Sequence, residues 1–138
     1  MKTAFIIIDV QNILVETGFE TEKLLEKIAY LQDQARKEQI EIIYIQHIET
    51  PEALTSEDWQ LSPLLKRQEN EKVFQKRYNS IFKETGLKEY LDQQGIEQLV
   101  LCGMQTEYCV DTSVKVGFEY GYKLVIPEGA VTTFDGED

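Results

Sequence analysis

The 138 residues leave room for one ordinary hydrophobic core, so residues 1–138 are expected to form a single domain. The 42% apolar content is gathered into short runs, which argues against a disordered chain. Lys and Arg number 14 against 25 Asp and Glu, a net charge of -11. That balance makes nucleic acid a poor partner, because phosphate backbones are held by cationic surface.

The chain opens with Ala4-Phe5-Ile6-Ile7-Ile8, a continuous apolar run of the kind found in a strand covered on both faces. It is too short for a signal peptide or for the ~18 apolar residues of a membrane span, so a cytoplasmic, membrane-free protein is expected. The run ends in Asp9-Val10-Gln11-Asn12, delivering a carboxylate and amides to one end of a sheet. From Thr21 to Lys37, Leu24, Leu25, Ile28, Leu31 and Ala35 recur at helical spacing opposite a charged face, which predicts a crossover helix. Residues 40–46 predict a second strand with His47 at its end.

Between Glu49 and Asn70 no clean period holds, and Pro51, Trp59 and Pro63 interrupt the chain. A loop this long is either a pocket wall or an ordinary connection in which Trp59 fills a groove. Lys72 to Gln75 predicts a third strand that delivers Lys76. Leu87, Tyr90 and Leu91 predict a brief helix capped at Gly95. Residues 98–102 predict a fourth strand, Glu107 to Tyr120 a helix stopped by Gly121, and Lys123 to Ile126 a fifth strand. Alternating strands and helices specify a three-layer, Rossmann-like α/β fold, with a mostly parallel, doubly wound sheet and helices on both faces. Sites in such sheets collect beyond the strand C-termini at a switch in strand order.

Gly103-Met104-Gln105-Thr106-Glu107-Tyr108-Cys109-Val110 follows a strand and opens a helix. With Thr106 as N-cap, Cys109 falls in the first turn, where helix amides and their partial positive charge lower a thiol pKa and can receive an oxyanion. The chain has one histidine, so a carboxylate is a serious candidate for the thiol's proton acceptor. Asp9 ends a buried strand, and Lys76 can stabilise a thiolate and hold Asp9, which gives a Cys, Asp, Lys set for covalent catalysis. Taken singly, Cys109 reads as an inert buried thiol, Asp9 as an acceptor of loop amides and Lys76 as a solvated cation. Their coincidence at one sheet edge is what favours chemistry.

Cys102 lies inside an apolar strand and reads as core. One histidine leaves no histidine-rich metal centre, and although Asp and Glu sites for harder ions stay open, no calcium-loop spacing is present, so no metal is expected; without a Gly-x-Gly-x-x-Gly or Walker loop, no cofactor is expected either. Gln11, His47, Trp59, Tyr78 and Tyr108 flank the three residues in sequence or inferred topology and are the candidate lining of a small-molecule pocket.

The opening IIIDVQN, the central KRYNSIFKETGLKEYL, the segment GIEQLVLCGMQTEYCV and the later GYKLVIPEGAVTTFD together resemble the isochorismatase-like cysteine hydrolases, relatives of nicotinamidases and N-carbamoylsarcosine amidases. The resemblance implies that Asp9, Lys76 and Cys109 form a catalytic triad and that the backbone amides of Gln105 and Cys109 form an oxyanion hole. His47-Ile48-Glu49-Thr50 stands where nicotinamidases carry a metal cluster, which disfavours a metal-dependent nicotinamidase. Cys109 favours an amide or ureide carbon-nitrogen bond as target. A metal-free, vinyl-ether-cleaving isochorismatase and a noncatalytic binding protein remain as alternatives. The resemblance also implies a homo-oligomer, and the chain is expected to lack the usual final helix and edge strand.

Overall fold

A computed structural model describes residues 1–18, 20–104 and 106–132. Strand β1 (Thr3–Ile8) pairs in parallel with β2 (Glu41–His47) on one side and with β4 (Gln98–Met104) on the other. Beyond β2 lies β3 (Lys72–Lys76), also parallel. The far side of β4 is shared by two short parallel strands, β5 (Lys123–Val125) at its start and β6 (Val131–Thr132) at its end. The order β3-β2-β1-β4-β5 makes this a doubly wound sheet, as the alternation of elements predicts.

The period of two in β1 sorts its side chains between two cores. Ala4, Ile6 and Ile8 join Ile43, Ile45, Leu99 and Leu101 under α3 (Leu87–Gln93) and α4 (Asp111–Glu119). Phe5 and Ile7 face the other way, with Ile42 and Tyr44, onto Leu24, Ile28 and Ala35 of α2 (Thr21–Lys37). A strand buried on both faces has no room for polar alternation, which is why β1 reads as an unbroken apolar run. Cys102 belongs to the core under α2 and Cys109 to the opposite one.

Three features depart from the sequence reading. A six-residue helix, α1 (Asn12–Thr17), follows β1; none of its residues is buried, so it carries no apolar stripe to be read. The helix after β4 starts as a π-helical turn over Thr106–Val110 before continuing as α4. The fifth strand stops at Val125, one residue short of the prediction, where Pro127 has no N–H to continue the ladder, and β6 is too short to leave a periodic signal. The expected irregular segment contains three single 3-10 turns, at Pro51–Leu54, Glu57–Trp59 and Pro63–Leu65. Backbone bonds from Asn12 to Gln60 and from Ser62 to Val10 stitch it to the chain leaving β1.

Candidate active site

Strand order reverses between β1 and β4, so the crevice beyond their C-terminal ends is the topological switch point. Asp9 sits there, one residue past β1, with a left-handed backbone (φ 56) that is uncommon for a residue other than glycine. Cys109 arrives at the same place on the turn after β4. Close approach of the two strand ends requires Gly103, the register partner of Ile8. Its φ is 124, and a Cβ there would lie 2.0 Å from the Ile8 carbonyl oxygen.

Lys76, the last residue of β3, reaches across β2 into this crevice and is buried to 1% exposure, an extreme position for a lysine. Its ammonium lies 3.1 Å from Asp9 Oδ2, 3.1 Å from Cys109 Sγ, 2.9 Å from the Tyr78 carbonyl and 3.2 Å from His47 Nδ1. The expectation that Lys76 taken singly is a solvated cation is therefore overturned. Asp9 is 2% exposed, and its second oxygen, Oδ1, has no hydrogen-bond partner among the described residues.

Burial raises the Asp9 pKa, against the opposing pull of the Lys76 ammonium and the Cys109 thiol. Burial, followed by the Asp9 carboxylate, pushes Cys109 up to about 11 despite Lys76. The lowered thiol pKa expected from the helix terminus is corrected here: desolvation and a neighbouring carboxylate outweigh the helix amides. The resting site thus holds a neutral thiol beside the buried Asp9–Lys76 pair. Cys102 has its own pKa pushed well up by burial alone and no charged partner, which fits the core role expected of it.

A cavity of about 320 Å³ opens over these groups, lined by Asp9, Leu14, His47, Trp59, Asn79, Tyr108 and Cys109. Three of the expected lining residues, His47, Trp59 and Tyr108, are in its wall. Tyr78 is not among the lining residues; its carbonyl holds Lys76 while its ring packs under the Lys83 ammonium at 4.1 Å. Gln11 is fully buried below the wall and serves it indirectly. Its side-chain oxygen accepts from the His47 backbone N–H at 2.8 Å, and its side-chain nitrogen donates to the His47 and Trp59 carbonyls at 3.0 and 2.6 Å. Leu14 and Asn79 were not anticipated. Leu14 lies on the unpredicted α1, and Asn79 lies in an irregular stretch after β3 with no pattern to mark it. Gln105, expected to supply an oxyanion-hole amide, lies outside the described residues.

Residues 3–138 match the isochorismatase domain model. The chain belongs to the isochorismatase family. Among its relatives it is 28% identical over 138 residues to the streptothricin hydrolase of Streptomyces noursei, with 96% of this chain and 50% of that protein covered. The chain thus spans half the length of that relative. It is also 28% identical to YddQ of Bacillus subtilis (strain 168), with 96% of this chain and 79% of that one covered. An isochorismatase from Pseudomonas putida KT2440 superimposes with a TM-score of 0.89 at 31% identity, over 95% of this chain and 71% of that one. Among the described residues no three His, Cys, Asp or Glu side chains are grouped to hold a metal ion, and no helix is long and apolar enough to cross a membrane.

Proposed function

We propose that this isochorismatase-family chain is a cysteine hydrolase that cleaves an amide or ureide-type carbon-nitrogen bond of a small molecule, with Asp9, Lys76 and Cys109 as the catalytic residues. One observation carries the reading: a buried Lys76 ammonium stands 3.1 Å from both Asp9 Oδ2 and Cys109 Sγ at the floor of a cavity. A structural ion pair has no need of a thiol, and an inert thiol has no need of a cation.

In the first half-reaction Asp9, made more basic by burial, takes the thiol proton as sulfur attacks the substrate carbonyl carbon. Lys76 lowers the energy of the thiolate character that develops. The oxyanion is received by the Cys109 amide and, by family resemblance, that of Gln105. Collapse breaks the carbon-nitrogen bond, Asp9 passes its proton to the departing nitrogen, and the acyl group stays on sulfur as a thioester-like intermediate. In the second half-reaction Asp9 takes a proton from water as that water attacks the thioester. It returns the proton to the Cys109 sulfur when the acid is released.

A second reading keeps Asp9 and Lys76 but dispenses with the thiol. It has one observation in its favour: burial raises the Asp9 pKa, which suits a protonated carboxyl acting as an acid on a vinyl ether. Intact-mass measurement after incubation with small amides, ureides and carbamoyl compounds, native against Cys109→Ala, separates the two. The proposal expects a substrate-dependent mass increase lost in Cys109→Ala together with turnover. Unchanged turnover in Cys109→Ala would transfer the assignment to the acid mechanism.

A further inference from the structure

Four acceptors surround the Lys76 ammonium, and an ammonium has three protons. His47 Nδ1 is one of the four, so that nitrogen presents a lone pair to Lys76. Burial and the Lys76 charge both lower the His47 pKa, and the imidazole is neutral. A neutral ring whose Nδ1 accepts must carry its proton on Nε2. No protein group among the described residues receives a hydrogen bond from Nε2, and His47 lines the cavity. Its backbone is pinned by the Gln11 amide on both N–H and carbonyl, and its ring stands 6.0 Å from the Trp59 ring, tilted by 50°.

In the same cavity wall, Asp9 Oδ1 is a buried acceptor with no partner among the described residues. A buried polar atom left unpaired costs free energy that a ligand can recover. Besides the Asn79 amide, the Trp59 indole N–H and the Tyr108 hydroxyl, the described lining therefore offers the His47 Nε2–H as a donor and Asp9 Oδ1 as an acceptor, with the charges of Asp9 and Lys76 already compensating each other.

We propose that His47 is a specificity-determining residue whose Nε2–H, paired with Asp9 Oδ1, selects an uncharged group presenting both a lone pair and an N–H, such as a primary carboxamide, over the corresponding carboxylate. The inference rests on the proposed nucleophilic Cys109. A carboxylate placed there would face Asp9 Oδ1 with oxygen against oxygen and bury a charge with no cation to spare.

Iodoacetamide and iodoacetate test this without knowledge of the physiological substrate. Both are displaced by the same thiolate with loss of iodide, and they differ only in presenting a carboxamide or a carboxylate. The ratio of their rates at Cys109 cancels the fraction of thiolate, which His47 variants can change. Rates are followed by peptide mass mapping at high salt and normalised to the ratio for a small free thiol. The wild-type protein is expected to prefer iodoacetamide by at least about tenfold beyond that ratio. His47→Phe, which keeps a planar ring without the donor, should lose about three- to tenfold of the preference, and His47→Gln, which restores an N–H, should recover part of it. An unchanged preference in His47→Phe, or a wild-type ratio equal to that of the free thiol, overturns the role of His47 and leaves the nucleophile standing. A Cys109 that reacts with neither reagent removes both readings.

Discussion

Competition for three protons at Lys76 makes the ion pair with Asp9 the most consequential contact at the level of single residues. Removing the cation alone leaves a carboxylate that is 2% exposed with no compensating charge, whereas removing both charges leaves a cavity of neutral groups. Lys76→Met is therefore expected to lower unfolding stability in urea by about 3–5 kcal/mol. The pair Asp9→Asn with Lys76→Met should recover most of that loss while both proteins stay inactive. Recovery of activity in the double variant would remove Lys76 and Asp9 from the chemistry. The pH profile separates the two mechanisms by sign. Covalent catalysis needs Asp9 ionised and Cys109 protonated at rest, so kcat/KM should rise through an acid limb lying above the ordinary aspartate value of 3.8. Above that limb it should fall only as pH approaches about 11, the limbs being properties of the coupled pair. Acid catalysis by Asp9 predicts the reverse, with activity falling as pH rises through that first limb.

Among the elements, the alignment of β1 with β4 decides whether Asp9 and Cys109 meet. Gly103→Ala places a methyl 2.0 Å from the Ile8 carbonyl oxygen at a backbone φ of 124 that alanine resists. Strain and overpacking of about 1–3 kcal/mol each predict a loss of roughly 2–6 kcal/mol in urea unfolding and a matching drop in the selectivity of Cys109 alkylation. A fully stable, fully selective variant would mean that the strand ends can part without moving the site. The same alignment explains what could be read from the sequence. β1, β2 and β4 are short runs buried on both faces and α2 buries residues at a period of 3.6, and each was legible for that reason. The meeting of Asp9, Lys76 and Cys109 beyond strand ends followed from sheet topology. Leu14, Asn79 and the service of Gln11 to the His47 backbone were not legible, because they depend on α1 and on loop-to-loop hydrogen bonds with no periodicity. The depressed thiol pKa was misjudged for a related reason: a helix start is visible in sequence, but the depth of burial beside a carboxylate is not.

On the scale of the whole molecule, 25 acidic residues against 14 basic ones surround a cavity in whose described lining the acidic Asp9 is paired with Lys76 behind it. The two contributions act over different distances. Surface repulsion of an anion is screened over a Debye length that falls from about 30 Å at 0.01 M salt to about 3 Å at 1 M, whereas contacts inside the cavity are little affected. Alkylation of Cys109 by iodoacetate should therefore accelerate several-fold between those salt concentrations, while iodoacetamide should change little. The preference that survives at 1 M belongs to the cavity wall and should respond to His47. The part removed by salt belongs to the net charge of -11 and should be the same in His47→Phe, a substitution that leaves the charge of a neutral histidine unchanged. A preference abolished entirely by salt would place selectivity on the surface of the molecule and leave the donor and acceptor at the cavity floor without a part in it.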